Sequence, residues 1–121
     1  MGQLIGPLFP SLDPSLIVRD EILKSGLNVR VYTPKTPLTP IKHLPLGVYY
    51  HGGGFIMGNL DAEDADCRYI AQHTPCVIVA VDYRHAPEYT LNDIIDDALE
   101  GYEWVSFKLN LRTLKVAAEF I

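Results

Sequence analysis

Three consecutive glycines follow a histidine in the stretch GVYYHGGGFIMGN, forming His51-Gly52-Gly53-Gly54-Phe55. Glycine gives no side-chain packing and loses more backbone entropy on folding than any other residue, so such a run serves a geometry that a Cβ atom would block. Three geometries are open: a tight turn, a close backbone approach to a ligand, or plain flexibility. The chemistry available to adjacent glycines is donation, because successive N–H groups can turn outward toward an anion. A phosphate cradle does not fit, since neither G-x-x-x-x-G-K-[ST] nor G-x-G-x-x-G occurs.

Other groups with chemical potential lie downstream. In DYRHAPE, Asp82, Arg84 and Glu88 form a charge network at a strand end, with Pro87 setting the exit of the chain. The structural reading outweighs a substrate contact, because ion-pair networks mimic functional sites. Asp61, Glu63, Asp64 and Asp66 crowd the start of a helix, where the positive end of the helix dipole favours carboxylates. A metal site is the competing reading, but no histidine or second ligand cluster joins these acids, and no metal or cofactor is expected. Cys67 and Cys76 are too few for a disulfide framework or a metal site and read as small buried hydrophobes in a reducing compartment.

The elements that must position these residues follow from periodicity. SLIVRDEIL and LNVRVYT are β-rich runs separated by Lys24-Ser25-Gly26, a hairpin signal. In the second run Leu27, Val29, Val31 and Thr33 alternate with Asn28, Arg30 and Tyr32, as in a half-buried strand. PKTPLTPIKHLP holds too many prolines for anything but a loop. LGVYY then runs as a short strand into the glycines. A helix is expected from Asp61 to about His73, with Ala65, Tyr69 and Ile70 on one side and Thr74-Pro75 as its stop. CVIVAVDY is a continuous apolar run, the signature of a strand buried on both faces.

A second helix from about Asn92 to Phe107 places Ile94, Ile95, Ala98, Leu99, Tyr102 and Val105 at helical spacing, with Asp93, Asp96, Asp97, Glu100 and Glu103 toward water. The tail LRTLKVAAEFI is ambiguous between strand and helix. This βαβα order implies an α/β fold with a largely parallel sheet. The glycines therefore fall at the C-terminal end of a sheet strand, the edge where open α/β sheets bind ligands.

The 121 residues suit one small domain, read as an irregular arm over 1–14 and a folded unit over 15–121. Apolar residues make up 48% and charged residues 21%, which excludes a disordered chain. A net charge of −5 argues against nucleic acid or an anionic membrane as partner. No apolar run is long enough to span a bilayer, and Pro7, Pro10 and Pro14 interrupt the N-terminus without a basic start. A secretory leader is not expected, and the expected location is cytoplasmic.

HGGGFIMGNLDAEDADCRYIA followed by VIVAVDYRHAPE resembles the hormone-sensitive-lipase-like, fold-3 branch of the α/β-hydrolase superfamily, which pairs an H-G-G-G-F loop with a downstream D-Y-R-x-A-P-E. The resemblance runs from about Leu16 to Val105, including Tyr102-Glu103-Trp104-Val105, and is lost in the tail. It implies the N-terminal portion of an α/β-hydrolase fold, incomplete, with a mostly parallel sheet, an N-terminal β-hairpin and flanking helices. It also implies hydrolysis of a small-molecule carboxylic ester through a tetrahedral oxyanion that preorganised N–H donors stabilise. By position, the amides of Gly53 and Gly54 would be those donors and Gly52 would shape the turn. His51 would brace the loop by hydrogen bonds without acting as catalytic base; the alternative is a satisfied strand-end histidine. The family usually has Leu where His85 stands, so His85 reads as a surface substitution.

A serine esterase of this family takes its nucleophile from a G-x-S-x-G elbow, followed in the chain by an acid and a histidine. Ser11, Ser15, Ser25 and Ser106 lack the flanking glycines, and no histidine follows His85. The elbow is expected just past Ile121. LKVAAEFI is either the start of the elbow strand or an unrelated ending, and the missing Gly-Asp-Pro-like turn favours the second. The expectation is a truncated, inactive fragment of an ester hydrolase; the alternative is a non-catalytic binding module built on the same fold. Self-association is expected too, because LGVYY would be left as a raw sheet edge and CVIVAVDY would expose apolar surface.

Overall fold

A computed structural model describes residues 15–35, 44–108 and 114–118. The arm expected over 1–14, and residues 36–43 of the proline-rich loop, lie outside the described residues. The expected hairpin forms: β1 (Leu16–Ile22) pairs antiparallel with β2 (Asn28–Pro34), from Leu16 opposite Pro34 to Ile22 opposite Asn28. After β3 (Leu46–Tyr50) come helix α1 (Asp64–His73), β4 (Val77–Val81), helix α2 (Leu91–Lys108) and β5 (Leu114–Ala118).

The five strands form one sheet in the order β1-β2-β4-β3-β5. It is mixed: β2 meets β4 antiparallel, while β4, β3 and β5 run parallel to one another. The tail therefore resolves as a strand, with Val48 opposite Val116. This corrects the expected raw edge, since β3 is paired on both sides, to β4 and to β5. The apolar exposure expected of β4 is also absent, because all five of its residues are buried.

The period of the strands explains the two cores. Val48 and Tyr50 of β3, Val79 and Val81 of β4, and Val29 and Val31 of β2 share one face with Ile94 and Val105 of α2. Tyr49, Ile78, Ala80 and Tyr32 share the other face with Cys67 and Ala71 of α1. Tyr32 is thus buried although it falls on the expected polar side of β2, because β2 is an interior strand with a helix over that face. With one helix among the described residues on each face of a mixed sheet, the architecture is that of an α/β fold.

Both helices bury a face that only partly overlaps the one periodicity selects: Ile70 of α1 and Ile94, Ala98 and Val105 of α2 pack on the cores as expected. Helix α1 turns Cys67, Arg68 and Ala71 inward and leaves Tyr69 exposed. Arg68 is tolerable there because its Nε donates to Asp64 Oδ2 at 2.7 Å. Arg30 also reaches Asp61 and Asp64, and the Tyr32 hydroxyl donates to Asp64 at 2.7 Å, so these two acids serve a charge network with the sheet. In α2, Ile94, Asp97, Gly101 and Val105 face inward, while Ile95, Leu99 and Tyr102 are exposed. Its start is a reciprocal cap: Asp93 N–H donates to Thr90 Oγ1 at 3.2 Å and Thr90 N–H to Asp93 Oδ2 at 2.9 Å.

Candidate active site

The glycine turn begins where β3 ends, at the C-terminal edge of the parallel half of the sheet. Gly53, Gly54 and Phe55 all have positive φ, at 135°, 65° and 70°. The Gly53 carbonyl accepts from the N–H groups of Ile56 and Met57, at 3.2 and 3.3 Å, which closes the turn. A Cβ on Gly53 would lie 2.1 Å from the Met57 carbonyl oxygen, whereas one on Gly54 would meet nothing within 4 Å. Among the described residues, the amides of Gly53 and Gly54 donate to no protein acceptor. Phe55 carries a positive φ without being glycine, a strain that is held in place only where its surroundings over-determine it. Here the side chain packs on the core under α2 and its carbonyl accepts from Ala86 N–H at 2.9 Å.

His51 is 2% exposed and its ring stacks on Tyr83, with centroids 4.2 Å apart. Its Nδ1 lies 2.9 Å from the Gly52 carbonyl oxygen, and its own carbonyl accepts from the Tyr83 hydroxyl at 2.5 Å. A Cβ on Gly58 would lie 2.4 Å from that same Nδ1, so the chain can fold back over the imidazole only at a glycine. Spacing alone had not singled out Gly58 or Tyr83. The only signal for them in the sequence is their membership in the two flanking motifs.

DYRHAPE is divided between two tasks. Arg84 pairs with Asp97, Nε to Oδ2 at 2.9 Å and Nη2 to Oδ1 at 3.0 Å, and the Arg84 N–H also donates to Oδ2 at 2.8 Å. The charge network expected among Asp82, Arg84 and Glu88 is corrected accordingly: its acid is Asp97, a buried residue of α2 that periodicity had placed toward water. Tyr83, His85 and Ala86 instead hold the glycine turn. His85 is not a surface substitution, since its Nε2 lies 3.4 Å from His51 Nε2 and the rings meet edge to face. Burial pushes the Asp82 carboxyl above its usual range. Burial also pushes the Tyr83 phenol up to about 12, so it stays a hydroxyl donor throughout the neutral range.

Among the described residues no three His, Cys, Asp or Glu side chains converge to hold a metal ion. Cys67 and Cys76 are free and buried, and burial pushes the Cys67 thiol up to about 12, which makes it unreactive near neutrality. No helix among the described residues is long and apolar enough to cross a membrane.

A sheet of this order, with a glycine turn of positive φ at the C-terminal edge of its parallel strands, matches the class that the resemblance implies. The profile of the α/β-hydrolase fold family matches residues 47–117, and the chain belongs to that family. The match reaches residue 117, within β5, so the family likeness extends into the tail rather than ending near Val105. Similar curated proteins include several named as esterases. One is a 3-O-acetylpapaveroxine carboxylesterase of Papaver somniferum, 43% identical over 83 residues, covering 64% of this chain and 26% of the relative. Another is the versiconal hemiacetal acetate esterase of Aspergillus parasiticus, 37% identical, covering 85% of this chain and 33% of the relative.

Among solved structures, the metagenomic thermostable carboxylesterase EstE1 superposes with a TM-score of 0.75 at 35% identity, over 87% of this chain and 37% of that one. An esterase of Pyrobaculum calidifontis gives 0.76 at 32% identity, over 97% of this chain and 39% of the other. The chain thus spans between a quarter and two fifths of the length of these proteins.

Proposed function

We propose that this chain supplies the oxyanion-binding part of a serine carboxylic ester hydrolase acting on small-molecule esters. The observation that carries the reading is the pair of uncommitted amides on Gly53 and Gly54, held by three consecutive positive-φ residues at the end of β3. Rigid donors aimed at one point act where negative charge develops on an acyl oxygen, and each contributes several kcal/mol. Gly52 shapes the approach to the turn and His51 braces it, a supporting role rather than that of a base. The esterase names of the similar proteins carry the substrate class.

These 121 residues contain no G-x-S-x-G elbow and no histidine after His85. Hydrolysis accordingly requires further sequence that carries the nucleophile, its acid and its histidine. The chain alone should turn over p-nitrophenyl acetate at the buffer rate, whereas a protein extended to the length of its relatives should show saturable turnover. In that longer protein Gly54→Ala should lower kcat by about 10²-fold. Unchanged kcat would return the glycines to the status of a plain turn. Ligand-dependent melting of the chain with a carboxylate, without turnover in either length, would favour the alternative of a non-catalytic binding module, which the same free amides could serve. We further propose that the chain by itself self-associates, through the exposed side of α2 rather than through β3.

A further inference from the structure

Four groups meet at the entrance to the glycine turn: the rings of His51, Tyr83 and His85, and the Gly52 carbonyl. A carbonyl oxygen can only accept, so the 2.9 Å contact requires His51 Nδ1 to carry the proton. In the neutral ring Nε2 is then bare and must accept, and the group facing it at 3.4 Å is His85 Nε2. His85 in turn must donate through Nε2–H, since two bare nitrogens at that distance would repel. The proton positions along the chain His85, His51, Gly52 carbonyl are therefore coupled.

The coupling reaches the donor amide. Gly52 C=O and Gly53 N–H belong to one planar peptide unit and point in opposite directions. Pinning the carbonyl on His51 Nδ1–H aims the Gly53 N–H away from the buried imidazole. Glycine on both sides of this peptide removes the Cβ barriers that would otherwise fix its plane. Tyr83 limits the position of the His51 ring by stacking but leaves its tautomer open. Ala86 N–H holds the far end of the turn at Phe55, so residues 83–86 grip both ends.

We propose that His85 is a positioning residue for the oxyanion donors: its Nε2–H holds His51 in the Nδ1–H tautomer, which orients the Gly52–Gly53 peptide. The inference rests on the ester-hydrolase reading for its purpose but not for its geometry. The test is ring 15N NMR on the full 121-residue chain. The native protein should show His51 with a protonated Nδ1 and a bare Nε2. His85→Leu should lose that single tautomer and broaden or shift the Gly53 amide, while His85→Gln, which keeps an N–H donor, should retain both signals. An Nε2–H His51 in the native chain, or a His85→Leu spectrum with the His51 and Gly53 signals unchanged, would overturn the proposal. Should His85→Leu fail to fold, the native tautomer and the glutamine variant still decide it. None of these readouts involves turnover, so absence of esterase activity in the longer protein would leave them intact.

Discussion

Gly53 and Gly54 are adjacent and identical in type, yet they answer to different constraints. Gly53 has no room for a Cβ, because the atom would fall 2.1 Å from a backbone oxygen that cannot move without opening the turn. Gly54 has room and resists substitution only through its φ of 65°, the left-handed region that costs an L-residue about 1–2 kcal/mol. Gly53→Ala should therefore destabilise the chain clearly more than Gly54→Ala in urea unfolding. Equal midpoints for the two variants would show that the carbonyl of Met57 does not close over Gly53. The same contrast makes Gly54→Ala the cleaner probe of donor geometry, because it adds a methyl without a clash.

At the scale of elements, the sheet reads out its alternation while the helices read out theirs only in part. Helix α2 buries Asp97 for Arg84 and rotates so that Gly101 lies against β4. A Cβ on Gly101 would meet Val81 Cγ2 at 2.6 Å. Replacing a helical glycine by alanine ordinarily stabilises by about 1 kcal/mol. Here forcing a methyl into a packed helix–strand contact costs typically 1–3 kcal/mol and should reverse the sign. Gly101→Ala should lower the melting temperature, and combining it with Val81→Ala should destabilise by less than the sum of the two single changes. A more stable Gly101→Ala protein would mean that α2 stands further from the sheet.

At the scale of the molecule, one helix among the described residues packs on each face of the sheet and β3 is paired along both edges. What stays open is the outer side of α2, where Leu91, Ile95, Leu99 and Tyr102 succeed one another at helical spacing and all are exposed. An apolar stripe of this kind marks a surface that associates when nothing covers it. Size-exclusion chromatography of the 121-residue chain should show concentration-dependent oligomers that bind a hydrophobic dye. Ile95→Lys with Leu99→Lys should shift the chain to a dye-negative monomer. Oligomers that persist in that double variant would place the contact elsewhere, with the β1 and β5 edges as the next surfaces to test.

Much of this was already determined by the sequence. Alternation in LNVRVYT, the unbroken apolar runs and the proline and glycine punctuation dictated the hairpin, both helices and the α/β class, because these depend on local periodicity. The paired HGGGF and DYRHAPE motifs likewise dictated the family. The tertiary structure alone decided which face each helix buries, since Arg84 recruits Asp97 and Arg68 is drawn under the acids of its own helix. It alone decided that the tail forms a strand, because a short apolar run has no preference until β3 offers unpaired N–H and C=O groups. It also turned His85 from a surface position into the neighbour of His51. Their contact spans a separation in sequence that no periodicity registers, and it forms only because the parallel strands β3 and β4 end side by side.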